Sequence, residues 1–478
     1  VRKIKKALAL SLAMAMGLSL VACGGNDDAT TEATEAASDD ATEATEAASD
    51  DATEATEADA SATGAIAAPS TDGWDDSKKI YAYSWDEDFS KKMKVVLDKF
   101  PEYKDYVEFV TLGVSGTTDE YKTAIDTALT SGDKYPSLIP ADNDVAKYWS
   151  EDDTKTANLT DLGFTDDVMA NSYDFAKQYG TYNGELKAVT WQATAGSIFY
   201  RRDIAKEVLG SDDPETVQAA LADWDKFFET AEKLKGAGYK IVSGPSDVKY
   251  AIWDTQSQPW VTDDGSSEKL TLDGAVTEYL ETGKKIYDGG YSNNTALWDS
   301  SWAADMANDS KVFCYFGCPW FIGSMQGNGA VDGNWGAVTG PTSYHWGGTY
   351  VMVGKDTPNP ELCAFLLYEL TCDPDVGVDI TNKTGDCVNN KAANERLING
   401  ELSSDNAAQK FLGGQNPIEV WAASAEGINL SNTTYQDASI KAFIDEAATA
   451  YNSGTYTSVD DAVKYIEDKC ASELGISK

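Results

Sequence analysis

Histidine occurs once in 478 residues, at His345. A single imidazole leaves little room for a Ser-His-Asp arrangement and disfavours a zinc site. No GxSxG, no GxxxxGKS/T and no strand–GxGxxG–helix pattern occurs. The local signatures of an α/β-hydrolase, a phosphate loop and a dinucleotide fold are therefore missing. Positive charge is also scarce: 38 Lys and Arg stand against 79 Asp and Glu, for a formal net charge of −41. Nucleic acid needs clustered Lys and Arg, so no nucleic-acid partner is expected. An anionic lipid surface repels such a chain, and membrane attachment has to come from something other than charge. The 7 cysteines form no paired CxxC pattern; no metal and no cofactor is expected.

Four of the few basic residues, Arg2, Lys3, Lys5 and Lys6, open the chain. A mostly apolar stretch over 7–22 follows, too short to cross roughly 30 Å of hydrocarbon comfortably. Small Ala22 then precedes Cys23. This order resembles a bacterial lipobox, in which the cysteine is acylated and becomes the first residue. An ordinary cleaved signal and a buried apolar helix are the alternatives. The expectation is a lipoprotein signal peptide over 1–22 and lipidation at Cys23. Val1 is read as a non-AUG start, so the chain is expected to be the whole precursor.

Residues 39–49 read DDATEATEAAS and 50–58 repeat DDATEATEA, with 13 acids and no base between Asp27 and Asp59. An eleven-residue period can mark a right-handed coiled coil. Alanine alone buries too little surface to offset the ordering entropy, so the segment reads as a self-repelling tether. The low-complexity linker is placed at 23–77, and the folded part begins near Lys78.

From there, strand and helix patterns alternate. Residues 79–84 read as a strand, followed by helical spacing at Phe89, Met93, Val96, Leu97 and Phe100. Strands are predicted at 106–112 and 137–140, with a helix over 120–130 between them. Trp224, Phe227, Phe228, Ala231 and Leu234 share one helical face. Residues 311–316 and 349–353 are apolar runs of strand length. Ile440, Phe443, Ile444, Ala447 and Tyr451 make a stripe, and Ser458 caps a last helix. Such alternation predicts α/β layering with mainly parallel sheets. About 400 residues exceed one core, so two lobes are expected. Cys372 and Cys387 flank a loop, and Cys314 and Cys318 are close in sequence; disulfides and buried free thiols both remain open.

Thirteen tryptophans are present, many in turn-like places beside acids and amides. An indole stacks on the apolar face of a sugar ring while carboxylates and amides meet its hydroxyl rim. For any single tryptophan, packing is an equal reading. The candidate ligand-binding residues are Trp85, Asp86, Asp142, Asp144, Trp191, Gln192, Asp247, Trp260, Trp302, Trp320, Trp346 and Gly347. Asp86, Asp142 and Asp144 also suit helix starts, and Asp247 an ordinary turn. No local motif marks a carboxylate pair for glycoside hydrolysis, and no catalytic residue is assigned.

Residues 184–203, GELKAVTWQATAGSIFYRRD, resemble the crossing segment of family 1 extracellular solute-binding proteins, which serve ABC-type sugar importers. Asp223-Trp224, the KVFCYFGCPW of 311–320 and the WG…WGG of 335–348 resemble further elements of that family, in order. Cys318 stands where Gly is common, and Thr194 where some oligosaccharide binders carry an acid. The resemblance implies a two-lobed type II periplasmic-binding-protein fold, with lobes at 78–190 plus 345–388 and 191–344 plus 389–478. It implies crossings near 187–191 and 340–346, and a structural role for Tyr200, Arg201 and Asp203. It further implies a monomeric carbohydrate receptor that passes its ligand to ABC permease subunits, lipid-anchored on the extracellular face of a bacterial cytoplasmic membrane. A surface glycan-degrading enzyme and a glycan-binding adhesin or sensor are the alternatives.

Overall fold

The computed structural model describes residues 64–263 and 265–478; the expected signal peptide, Cys23 and the acidic repeats lie outside them. Apolar residues dominate the first strand, Ile80–Ser84, in which every residue but Tyr81 is buried. They recur with helical spacing in Asp88–Lys99, which buries Phe89, Met93, Val96 and Leu97. Val107–Thr111 and Pro136–Asp142 complete a parallel trio on either side of the first strand. The helix Asp119–Ser131 between them starts at Thr118, whose side chain accepts from Tyr121 N, and ends at Gly132 in the left-handed region. Thr349–Val353 joins from much later in the chain and runs antiparallel to the third strand, with Thr349 opposite Asp142.

The second sheet departs from the expected parallel order. Ser197–Arg201 is its middle strand, and both Cys314–Gly317 and Trp335–Val338 pair with it antiparallel. Its strands are not joined by successive right-handed βαβ units, which is what a parallel sheet requires. Alternate residues of the middle strand point into different apolar clusters. Ile198 and Tyr200 join Phe227, Leu234, Ile241, Ile440 and Ile444. Phe199 on the opposite face joins Trp335, Phe411 and Trp421, in a cluster that continues to Ile80, Leu138 and Val351 of the first sheet. The Gln415 side chain covers the sheet edge, accepting from Ala337 N at 3.0 Å and donating to Ala337 O at 2.7 Å.

Three chain segments run side by side between the sheets. Residue 189 pairs with 351, 192 with 388 and 195 with 345. Asn389 N donates to Trp191 O at 2.7 Å, Ala193 N to Cys387 O at 2.9 Å, and Trp346 N to Thr194 O at 3.1 Å. Gly196 is required here, because a Cβ would lie 2.3 Å from the Tyr344 ring. His345 is buried on this ladder, with Asp254 Oδ2 2.6 Å from both its backbone N and its Nδ1.

Tyr200, Arg201 and Asp203 have structural roles. Arg201 is buried; it donates to both Asp203 oxygens, at 2.9 and 2.6 Å, and to Asn308 O at 2.7 Å. Tyr200 donates to Asp212 O at 2.8 Å. The disulfides left open by the sequence are not formed: Cys314, Cys318, Cys363, Cys372, Cys387 and Cys470 are buried free thiols. Cys372 lies against Thr371 and Met169, whereas Cys387 faces Val388 O and Asn394. Among the described residues no helix is long and apolar enough to cross a membrane.

Ordered structure begins before Lys78. Tyr103 donates to Pro69 O at 2.7 Å, and Trp74 meets Tyr106 edge-on with centroids 5.0 Å apart. Residues 66–74 therefore form a strap packed on the body of the first sheet. Trp74→Ala should lower the stability of the protein by roughly 2 kcal/mol in urea unfolding, less than a fully buried indole costs.

Candidate ligand cleft

The carboxyl ends of the parallel strands carry the acids. Asp86 follows the first strand and accepts from Asp88 N at 2.9 Å; Asp142 ends the third and accepts from Asp144 N at 2.9 Å. Both thus act as helix-start acids, and they are close enough for the Asp86 charge to raise the Asp142 pKa. Burial, the nearby Asp144 and Asp86 together push the Asp142 carboxyl up to about 7. Burial likewise raises Asp86. Trp85 stands beside them, edge-on to Tyr121 at 5.8 Å.

The tight loop Trp346-Gly347-Gly348 brings indoles to these acids. Gly347 and Gly348 have φ of 64° and 110°, which a side chain would strain. Gly348 O accepts from Asn143 N at 2.9 Å, between the two aspartates. Tyr250 stacks on Trp346 at 4.9 Å and 27°, and its hydroxyl is pushed well above the usual tyrosine value by burial and by Asp144. Trp320 meets Trp346 at 5.0 Å, and its Nε1 donates to Trp346 O at 3.1 Å. Trp298 stacks on Trp320 at 6.2 Å and 14°.

Gln192 lies at the crossing. Its Oε1 accepts from Thr349 N at 2.9 Å and its Nε2 donates to Asp386 Oδ2 at 3.1 Å. Lys92 sits 2.9 Å from Asp88 and 3.4 Å from Asp386. Burial works against its charge, yet Asp386 and Asp88 hold its pKa above the ordinary lysine value. These groups and Trp320 line a cavity of about 250 Å³, with walls from both the first-sheet and second-sheet bodies.

The expected residues therefore separate. Trp85, Asp86, Asp142, Asp144, Trp346, Gly347 and Trp320 converge, with Gln192 at the base of the adjoining cavity. Trp302 is enclosed, and its Nε1 donates to Asp247 Oδ1 at 2.6 Å. Asp247 also accepts from Ser243 N and Gly244 N, and burial pushes it up to about 6. This pair supports the site from behind, since Trp302 meets the exposed Trp298 at 5.1 Å. Trp191 is buried against Phe89 at 5.7 Å. Trp260 is buried away from the group, its Nε1 donating to Asp273 at 3.0 Å. Sequence reasoning did not select Trp298, Tyr250, Lys92 or Asp386. Trp298 carried the same turn-side signal as the chosen indoles; Tyr250 and the Lys92–Asp386 pair had none.

Residues 96–410 match the bacterial extracellular solute-binding protein family. The chain belongs to that family. No curated protein sequence matches this solute-binding protein, whereas solved structures do. A family 1 extracellular solute-binding protein superposes with a TM-score of 0.68 at 17% identity, covering 81% of this chain and 97% of that one. The galacto-N-biose-/lacto-N-biose I-binding protein of the ABC transporter from Bifidobacterium longum, solved with lacto-N-biose, gives 0.64 at 16% identity over 84% and 100%. An ABC transporter associated binding protein from B. animalis subsp. lactis Bl-04, solved with β-1,6-galactobiose, gives 0.59 at 20% identity over 84% and 99%. These likenesses establish the two-lobed solute-binding fold.

The cluster makes a pH prediction. Asp142 has its pKa raised from 3.8 to about 7 in the folded protein. Between those values the folded state holds a proton that the unfolded state has lost, so this group's contribution to stability falls as pH rises through that window. Asp142→Asn should flatten that fall, which melting temperatures measured across about pH 4 to about pH 8 will read.

Proposed function

We propose that this solute-binding protein is the carbohydrate receptor of an ABC uptake system. The observation that supports the reading is the meeting of indoles and acids beside the crossing: Trp320 touches Trp346 and stacks on Trp298, and Gly348 of the Trp346 loop accepts from Asn143 N between Asp142 and Asp144. Stacked indoles match the C–H face of a pyranose, and clustered carboxylates accept from its hydroxyls. A crowd of like charges is costly when empty, and hydroxyl donors relieve it. The sugar-bound relatives from Bifidobacterium longum and B. animalis subsp. lactis share the fold and support this ligand class.

In this reading the lobes are 78–190 plus 345–388 and 191–344 plus 389–478, and the crossing segments are the hinge. Ligand contacts to both lobes favour closure, and the closed form is what the permease subunits receive. The protein binds and releases its sugar without breaking a bond and acts as a monomer. The order of charge, apolar stretch and Cys23 supports a lipid anchor on the outer face of the cytoplasmic membrane, with the acidic repeats as a spacer reaching tens of ångströms.

A glycan panel followed by calorimetry tests the receptor reading. Saccharides should bind at roughly micromolar Kd, and Trp320→Ala should weaken them tenfold or more with the melting temperature little changed. Binding of peptides and no saccharide refutes the carbohydrate assignment. In a bacterial host, Cys23→Ala should move the protein from the membrane fraction to the medium; retention in the membrane removes the anchor.

A further inference from the structure

The turn that carries Trp346 is fastened from several sides. Trp346 N donates to Thr194 O at 3.1 Å, and Trp320 Nε1 to Trp346 O at 3.1 Å. Thr194 Oγ1 donates to Gly347 O at 2.9 Å, and Asn143 N to Gly348 O at 2.9 Å. All of these join neutral groups. The fastening of His345, one residue earlier, is different. Its backbone N and its Nδ1 both lie 2.6 Å from one oxygen, Oδ2 of Asp254. A carboxylate only accepts, so Nδ1 carries the proton. Hydrogen bonds to an ionised acceptor are roughly twice as strong as neutral ones. The Asp254 side chain is 3% exposed, and a carboxylate taken so far from water is costly unless it is bonded in return.

Asp254 ends the short helix Lys249–Trp253, and its N–H donates back to Tyr250 O at 3.1 Å. A carboxylate at a helix C-terminus stands at the end of the dipole that disfavours it. Neither burial nor local propensity accounts for an acid here; what it holds does. The same helix reaches Trp346 a second time, because the Tyr250 ring stacks on the indole at 4.9 Å and 27°. The helix is itself held, by Lys249 Nζ 2.9 Å from Asp445 Oδ2 and by Trp253 edge-on to Tyr279 at 5.3 Å. Trp298 and Trp320 lie against Trp346, at 5.6 and 5.0 Å. One helix thus grips the root of the aromatic wall through Asp254 and its face through Tyr250.

We propose that Asp254 is a positioning residue for the site: acting through His345, it fixes the Trp346 turn and with it the aromatic wall, and so sets sugar affinity without touching the sugar. The inference rests on the carbohydrate reading above. Near-ultraviolet circular dichroism of the whole protein tests it without a ligand, since the difference between wild type and Trp346→Phe is the band of the packed Trp346. Asp254→Ala should lose about half of that band or more. Asp254→Asn keeps an acceptor oxygen for both His345 donors and should restore it. Calorimetry with galactose, lactose and maltose should show binding weakened about tenfold in Asp254→Ala and recovered to within about threefold of wild type in Asp254→Asn. A merely structural aspartate would lower the melting temperature and leave the band and the affinity of the folded protein as they were; that result overturns the inference. If Asp254→Ala does not fold, His345→Ala decides. It keeps the backbone N–H on Asp254 and gives up Nδ1, so it should lose part of the band and weaken binding about threefold, and an unchanged band and affinity overturn the inference. If wild type binds none of the three sugars, the band alone judges Asp254, and the glycan panel judges the carbohydrate reading.

Discussion

The architecture depends on a short ladder where residues 189–196, 344–349 and 386–389 run together. Each segment satisfies its backbone polar groups on the others, which irregular chain between two sheets must do if it is buried. Gln192 ties this ladder to the site, reaching Thr349 N with one end of its amide and Asp386 with the other. Because Thr349 also pairs with Asp142, a shift in the ladder moves an acid of the cleft. The Trp346-Gly347-Gly348 turn leaves the same ladder and carries the central indole. Support and the candidate site thus share the same residues.

The cleft is built on an electrostatic tension. Three carboxylates are gathered at strand ends, and burial makes the charged form of Asp142 costly. The protein contains the cost through local geometry: each of Asp86 and Asp142 accepts from a backbone N–H two residues on. On the other side the aromatic wall is held by packing behind it. Trp302, locked to Asp247, backs Trp298, and Trp320 donates to the backbone of Trp346. Rigid support of this kind fixes the positions of the aromatic faces relative to the backbone that carries them.

The first sheet was legible because its signals are local. An apolar run marked the strand read at 79–84 and observed at 80–84, and helical spacing marked the helix burying Phe89 and Met93. The antiparallel second sheet was not, since Ser197–Arg201 finds its partners over a hundred residues away by contacts no window samples. The tryptophans show the same limit. Trp260, Trp302 and Trp298 all sit beside turn residues, yet the first two are enclosed because Asp273 and Asp247 receive their N–H groups, and the third is exposed. Asp247 and Trp302 are 55 positions apart, and only the fold brings them together. Asp86 and Asp142 were expected beside the ends of the first and third strands, and the strands end there at Ser84 and Asp142.

The six described cysteines are enclosed and unpaired, and burial pushes thiols such as Cys363 and Cys372 up to about 12. A thiol that is both shielded and undissociated is a poor nucleophile at neutral pH. Folding of residues 64–478 therefore asks nothing of an oxidant and is indifferent to reductant. It also means that a cysteine introduced on the surface would outcompete all six for a maleimide. Spectroscopic labels can then be placed on each body in turn, and the separation of the two followed, without stripping the native sulfur from the interior.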